Sequence, residues 1–381
     1  MNETDELGDL AEITASASEG SVLSTQLTLQ TLFVCLGLPM NISTFFYMMK
    51  RYKHARSFLL LLHINLNLTD ILVLGPSLIG KIIWEASGYQ WWAGDLACRL
   101  MRFIDVFAFM ASSNIMVCIA LYRLYALRYP LWVSAVGHSR VPRMLLLAWG
   151  IAALASLPQV IVWQELRHSN DKIGCYNFWL AKGIIAGNNG ILDEDVGKLV
   201  AYSVVSSIVM FYVPCIILIV CYVLILRDIY STLTYDADAS SVLYIAEFTR
   251  LSSCGRSSKE KQLQQQMKEN GGLVKAPQCS LRGQDRFQRA KIRSLRITLF
   301  LILCYVITWL PYNMLNWVLV YDFNYYMTIE GNLYFLNCLV YLNSVINPFI
   351  YGRCQGLKML CRWGKTKKRK PKDHFCWMLR N

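Results

Sequence analysis

Four ionisable side chains, Asp70, Lys81, Asp105 and Arg123, stand inside stretches that are otherwise apolar. An uncompensated charge at such a place costs several kcal/mol, so each implies a counter-charge, a bound cation or a charged ligand. This is the chemistry of recognition and switching rather than of bond-making. The five histidines, at positions 54, 63, 138, 168 and 374, have neither metal-ligand nor triad spacing, and no enzyme is expected. Asn347 and Pro348 add a second signal near the end of the last apolar stretch. A proline there frees a backbone carbonyl that neighbouring helices must satisfy, which marks a helix bent for a purpose.

The elements that carry these residues are seven apolar runs, near 26–49, 58–84, 96–127, 142–164, 199–227, 294–320 and 331–352. Each is long enough to cross the ~30 Å hydrocarbon core as a helix, and none alternates with the period of a barrel strand. The chain is 55% hydrophobic and 17% charged, with a mean hydropathy of +0.34, which fits a lipid-embedded, all-α membrane protein. Glu3, Asp5, Glu6, Asp9, Glu12 and Glu19 precede the first run with no Lys or Arg among them. Arg51, Lys53 and Arg56 follow it, and the tail carries Lys365, Lys367, Lys368, Arg369, Lys370 and Lys372. The positive-inside rule then puts the N-terminus outside and the C-terminus in the cytoplasm of a multi-pass protein, expected at the plasma membrane. The net charge of +13 reflects this topology and a tail facing the inner leaflet, not nucleic-acid binding. No cleavable signal peptide is evident in the acidic N-terminus.

Three regions follow: an outer segment 1–25, read as short and disordered, a seven-span body 26–352, and a tail 353–381. The body includes a long inner loop, 228–290, rich in Gln, Ser and Gly, whose ends could prolong the flanking helices. The connections 50–57, 85–95, 128–141 and 321–330 read as short, and the outer connection 165–198 as long. Residues 353–363 suit an eighth, amphipathic helix on the membrane surface, with Cys354 and Cys361 as palmitoylation candidates. Of thirteen cysteines, topology leaves only Cys98 and Cys175 on the oxidising side, hence one bridge. Asn2-Glu3-Thr4 is the glycosylation sequon outside the bilayer.

The polar and aromatic residues of the spans, taken in order, resemble those of rhodopsin-like (class A) G-protein-coupled receptors over roughly residues 26–363. The matches are Asn41, Asn65, Asp70, Cys98, Arg123, Trp149, Pro214, Tyr222, Trp309, Pro311, and Asn347, Pro348 and Tyr351. The resemblance implies a seven-helix receptor that binds a ligand outside and activates a heterotrimeric G protein inside. It further implies an allosteric sodium ion at Asp70, with Ser112, Asn343, Ser344 and Asn347 supplying oxygens; a neutral, hydrogen-bonded Asp70 is the alternative. No other cofactor is implied. Arg123, Tyr222 and Tyr351 take the role of the G-protein switch.

Two departures bear on that switch. Tyr122 stands where the family usually has the acid that restrains Arg123, and Lys291 stands where some members place a Glu. Both customary restraints are absent, which weakens the off-state and raises basal activity. Ser113 and Tyr305 replace the apolar residues that normally pack beside Pro214 and Trp309, and Thr308 replaces a Cys.

Ser156-Leu157-Pro158-Gln159, and Ala290 to Arg296 leading to Leu310-Pro311-Tyr312, resemble gonadotropin-releasing hormone, adipokinetic hormone and corazonin receptors, with vasopressin and oxytocin receptors near neighbours. A neuropeptide ligand is the expectation, with Lys81, Asp105, Ser206, Trp309, Tyr312, Asn313, Asn337 and Tyr341 as its contacts. Lys81 and Asp105 either pair with each other or meet the ligand. Asp105 also matches the amine-binding acid of biogenic-amine receptors, although Asn313 replaces an aromatic residue that those receptors use. The alternatives are a receptor, or an obligate heterodimer subunit, for a small-molecule pheromone or an amine. A transporter is disfavoured, because no charge pairs or broken half-helices recur along the chain.

Overall fold

The structure is a computed structural model that describes residues 3–167, 172–187, 191–231 and 278–352. Among these, six helices are long and apolar enough to cross a membrane by themselves: Gly20–His54, Phe58–Ala86, Asp95–Arg128, Ser139–Val162, Asp193–Ser231 and Leu295–Tyr321. The seventh crossing is composite. A helix Phe323–Leu333 leads through a 3-10 turn, Tyr334–Cys338, into the helix Leu339–Gly352 that carries Asn347 and Pro348. The all-helical seven-span bundle expected from hydropathy is therefore present, and we number its spans one to seven.

Several boundaries differ from the sequence expectation. Span one belongs to a helix that begins at Glu3, so the segment before residue 26 is helical rather than disordered. The helix of span four begins at Pro130, whose missing N–H is harmless in a first turn, so the connection after span three shrinks to Tyr129. Residues Phe323–Leu333, expected in a loop, are helical. Span six is the end of a long helix, Gln278–Tyr321, which does prolong it into the inner loop. The rest of that loop, the proposed eighth helix, Asn2, Cys354 and Cys361 lie outside the described residues.

The outer connection between spans four and five folds into an antiparallel hairpin, β1 (Trp163–Arg167) and β2 (Ile173–Asn177), with Glu165 opposite Cys175. A short helix follows, Phe178–Ile185, whose first turn is capped by Asn177 Oδ1 accepting the Leu180 N–H at 2.9 Å.

Burial follows the reverse of a soluble helix pair only at the rim. Leu62, Leu66, Leu74, Ile115, Ile119, Leu218, Ile225 and Leu301 form the interior core from spans two, three, five and six. Leu146, Leu154 and Ile161 on span four face outward, as lipid permits. Gly37 lets spans one, two and seven close up. A Cβ there would meet Leu74 Cδ1 at 2.7 Å and Val345 Cγ2 at 2.9 Å.

Prolines shape three spans at places that matter below. Pro76 lies in a π-turn, Val73–Ser77, of span two, and a second π-turn, Ile208–Tyr212, precedes Pro214 in span five. Each proline withholds an N–H from the carbonyl four residues back. For Pro214 that carbonyl is Met210, and for Pro348 it is Ser344.

Candidate ligand pocket and intramembrane switch

At the outer end, the hairpin is fastened to the top of span three. Cys98 and Cys175 form a disulfide with Cα atoms 5.7 Å apart. Asp95 Oδ1 accepts the Glu165 N–H at 2.9 Å, and the Trp91 N–H donates to the Ile173 carbonyl at 2.7 Å. Arg99 donates to Asp95 and to the Val160 carbonyl, each at 2.7 Å. Beyond the hairpin, Lys182 pairs with Glu194 and with Asp195, the latter at 2.7 Å. Hydrogen bonds to those two carboxylates hold the Lys182 ammonium above the usual lysine pKa.

Beneath the hairpin lie the expected charges, paired otherwise than their facing positions suggested. Lys81 Nζ is 3.6 Å from Glu85 Oε1, which also accepts from Gln26 Nε2 at 2.7 Å. Asp105 accepts from Ser77 at 2.7 Å and from Arg102 at 3.2 Å, so both of its oxygens are engaged. The Arg102 guanidinium in turn sits over the Trp84 and Trp163 rings, 4.3 and 4.5 Å from their centroids. Lys81 and Asp105 thus each have an ion-pair partner within about one turn of their own helix. Lys81 also lies 5.7 Å above the Tyr341 ring.

Tyr341, Trp309 and Tyr312 do converge. Phe109 packs against Tyr341 at 5.2 Å and edge-on against Trp309 at 5.3 Å, and Tyr312 meets Trp309 edge-on at 6.2 Å. Asn313 donates to the Trp309 carbonyl at 2.9 Å, while its buried Oδ1 and that of Asn337 have no hydrogen-bond partner among the described residues. Ser206 is engaged by Tyr202 on its own helix rather than by Asp105.

Halfway down, Asp70 is fully buried, and Asn347 Nδ2 donates to both of its oxygens at 3.0 and 3.2 Å. Asn41 donates to the Ser344 carbonyl at 3.0 Å, the carbonyl that Pro348 frees, and accepts from Asn67 at 2.6 Å. Trp149 donates to Asn65 at 3.1 Å and joins spans two and four. Ser112, Asn343 and Ser344 are buried on the helices packed against span two. Ser112 Oγ, Asn343 Oδ1 and Asn347 Oδ1 lack a partner among the described residues. Oxygens buried in this way fit the ligand set of a hard cation.

One helical turn further in, Tyr305 joins three spans through Ser113 and the Met210 carbonyl. At the inner end, Arg123 is beside Tyr122, and its buried Nε has no hydrogen-bond partner among the described residues. Arg128, five residues on, makes a two-pronged contact with Asp228 at 2.6 and 3.2 Å that ties span three to span five. Tyr222 is half-buried against the core, and the side chain of Tyr351 lies outside the described residues.

Residues 40–351 match the profile of the 7 transmembrane receptor (rhodopsin family) group, a range that runs from within span one through spans two to six and nearly to the end of span seven. The chain belongs to the rhodopsin family of seven-transmembrane receptors. Among relatives of this receptor, the G-protein coupled receptor daf-38 of Caenorhabditis elegans is 25% identical over 360 residues, covering 83% of this chain and 85% of that one. The gonadotropin-releasing hormone receptor of Octopus vulgaris is 27% identical over 302 residues, covering 79% of this chain and 64% of that one. The human neuropeptide S receptor is 23% identical over 330 residues, covering 85% and 75%.

Sequence reasoning did not single out Glu85, Arg102, Gln26 or Asp228 in this receptor. The signal for two of them was present: Lys81–Glu85 and Arg102–Asp105 have the i,i+4 and i,i+3 spacings of ion pairs on one helix face. Gln26 and Asp228 depend on inter-span packing, and no local spacing reveals them.

Proposed function

We propose that this chain is a plasma-membrane receptor that takes an extracellular neuropeptide under the hairpin and passes the signal to a heterotrimeric G protein. The observation that carries the peptide reading over the amine reading is the state of Asp105. With Arg102 as its counter-charge and Ser77 as a further donor, Asp105 is already compensated without a ligand ammonium. Two of the relatives described above are named for peptides, gonadotropin-releasing hormone and neuropeptide S.

Inside, agonist binding shifts a two-state equilibrium in which span six swings outward and exposes Arg123 to the G protein. A sodium ion, where bound, would be held by Asp70 with the oxygens of Ser112, Asn343 and Asn347. It would add a positive charge beside the buried Asp70 carboxylate.

The test is G-protein activation in cells expressing the chain alone, read with sensors for each Gα class, first without ligand and then with a neuropeptide panel. A peptide response lost in Arg123→Ala establishes the reading. A surface-expressed chain that answers no peptide, but responds when a second receptor is co-expressed, replaces it with the heterodimer alternative.

A further inference from the structure

Pro214 has no N–H to give the Met210 carbonyl, and in hydrocarbon no water is available to take its place. The Tyr305 hydroxyl fills that vacancy from span six, donating to Met210 O at 3.0 Å. On its other side, Ser113 of span three donates to Tyr305 Oη at 3.2 Å, with the Phe109 carbonyl at 3.1 Å as the alternative acceptor. The phenol is 1% exposed, and its ring touches Phe211 and Trp309, each with centroids 5.7 Å away.

We infer that Tyr305 is the positioning residue that holds span six closed, a hydrogen-bonded latch between spans three, five and six. This rests on the reading that span six swings outward to signal. The sequence departure noted above, polar Ser113 and Tyr305 where relatives pack apolar side chains, acquires a purpose in this way. An apolar contact can slide, whereas this hydroxyl must leave a serine on one helix and a proline-freed carbonyl on another together. Moving span six outward separates it from both, and the Met210 carbonyl then loses the hydroxyl that stands in for the N–H Pro214 lacks. The latch stands in for the acid missing beside Arg123: the off-state is secured at the level of Trp309 instead of at the cytoplasmic rim.

Tyr305→Phe keeps the ring and its packing and deletes only the latch. At matched surface expression it should raise ligand-independent G-protein activation about 3- to 10-fold, as expected when an equilibrium loses hydrogen bonds of ordinary net strength. Ser113→Ala should give a smaller rise, Ser113→Thr should restore the parent level, and the double variant should not exceed Tyr305→Phe. Adding Arg123→Ala should abolish the gain. A merely structural role would lower surface expression and signal together, and a Tyr305→Phe basal signal at or below that of the parent overturns the latch. Should no version activate any G protein, the movement is read directly in purified protein with an environment-sensitive fluorophore at Arg296→Cys, an exposed site near the inner end of span six. Emission shifted by Tyr305→Phe then supports the latch while the coupling reading fails; unchanged emission sinks the latch itself.

Discussion

Asp70 is a carboxylate with no exposed surface whose described hydrogen-bond donor is an amide, Asn347. Three nearby acceptors without donors make a cation the natural complement. Exchanging N-methylglucamine chloride for sodium chloride at constant ionic strength should raise the thermal midpoint of the purified receptor, and Asp70→Asn should flatten that response. The Asp105–Arg102 pair gives a different expectation, because removing one member leaves the other charge half-buried between indoles. Asp105→Ala should cost about 2–3 kcal/mol in thermal unfolding, and Arg102→Met in the same chain should recover most of it. A neutral effect of Asp105→Ala would return that carboxylate to the list of ligand contacts. Asp70, Arg123 and Trp309 were legible in the sequence because polar and bulky groups are rare at their depth and stand out. The same-helix partners Glu85 and Arg102 were passed over by attention to facing helices, although each lies about a turn away from Lys81 or Asp105.

The helices themselves are held by side chains that cross to carbonyls the prolines have freed. Asn41 of span one caps Ser344, one turn before Pro348, just as Tyr305 caps Met210, one turn before Pro214. Asn41→Ala removes that cap, which should destabilise the receptor by about 1–2 kcal/mol in a thermal-shift assay, whereas Asn41→Asp, with no N–H, should do no better. Gly37→Ala, one turn away, should cost about 1–3 kcal/mol, since its methyl group would press on Leu74 and Val345. Hydropathy located all seven crossings because lipid thickness sets their length. It misjudged their ends because, beyond the lipid, helices stop according to caps and prolines instead. Pro130 starting the span-four helix is one such case. The 3-10 turn at Tyr334–Cys338 left no mark in a sequence that is simply apolar there.

At the scale of the whole receptor, one covalent tie fixes the outer mouth. The disulfide closes a sequence separation of 77 residues, and in the chain-entropy account such a closure contributes about 4 kcal/mol. Reductant, or Cys98→Ser with Cys175→Ser, should lower the thermal midpoint accordingly. Around that mouth several described charges pair locally: Lys81 with Glu85, Arg99 with Asp95, Arg102 with Asp105, and Lys182 and Lys198 with Glu194 and Asp195. Charges paired within a few ångströms contribute little field in solution, and so little steering of a charged ligand. Residues 3–19 carry six carboxylates and no Lys or Arg, a longer-range source of attraction in the sequence that leads into span one. A cationic ligand would therefore associate faster at low salt through that acidic segment, and a chain lacking residues 1–19 would capture it at a rate almost indifferent to ionic strength, with its residence time unchanged.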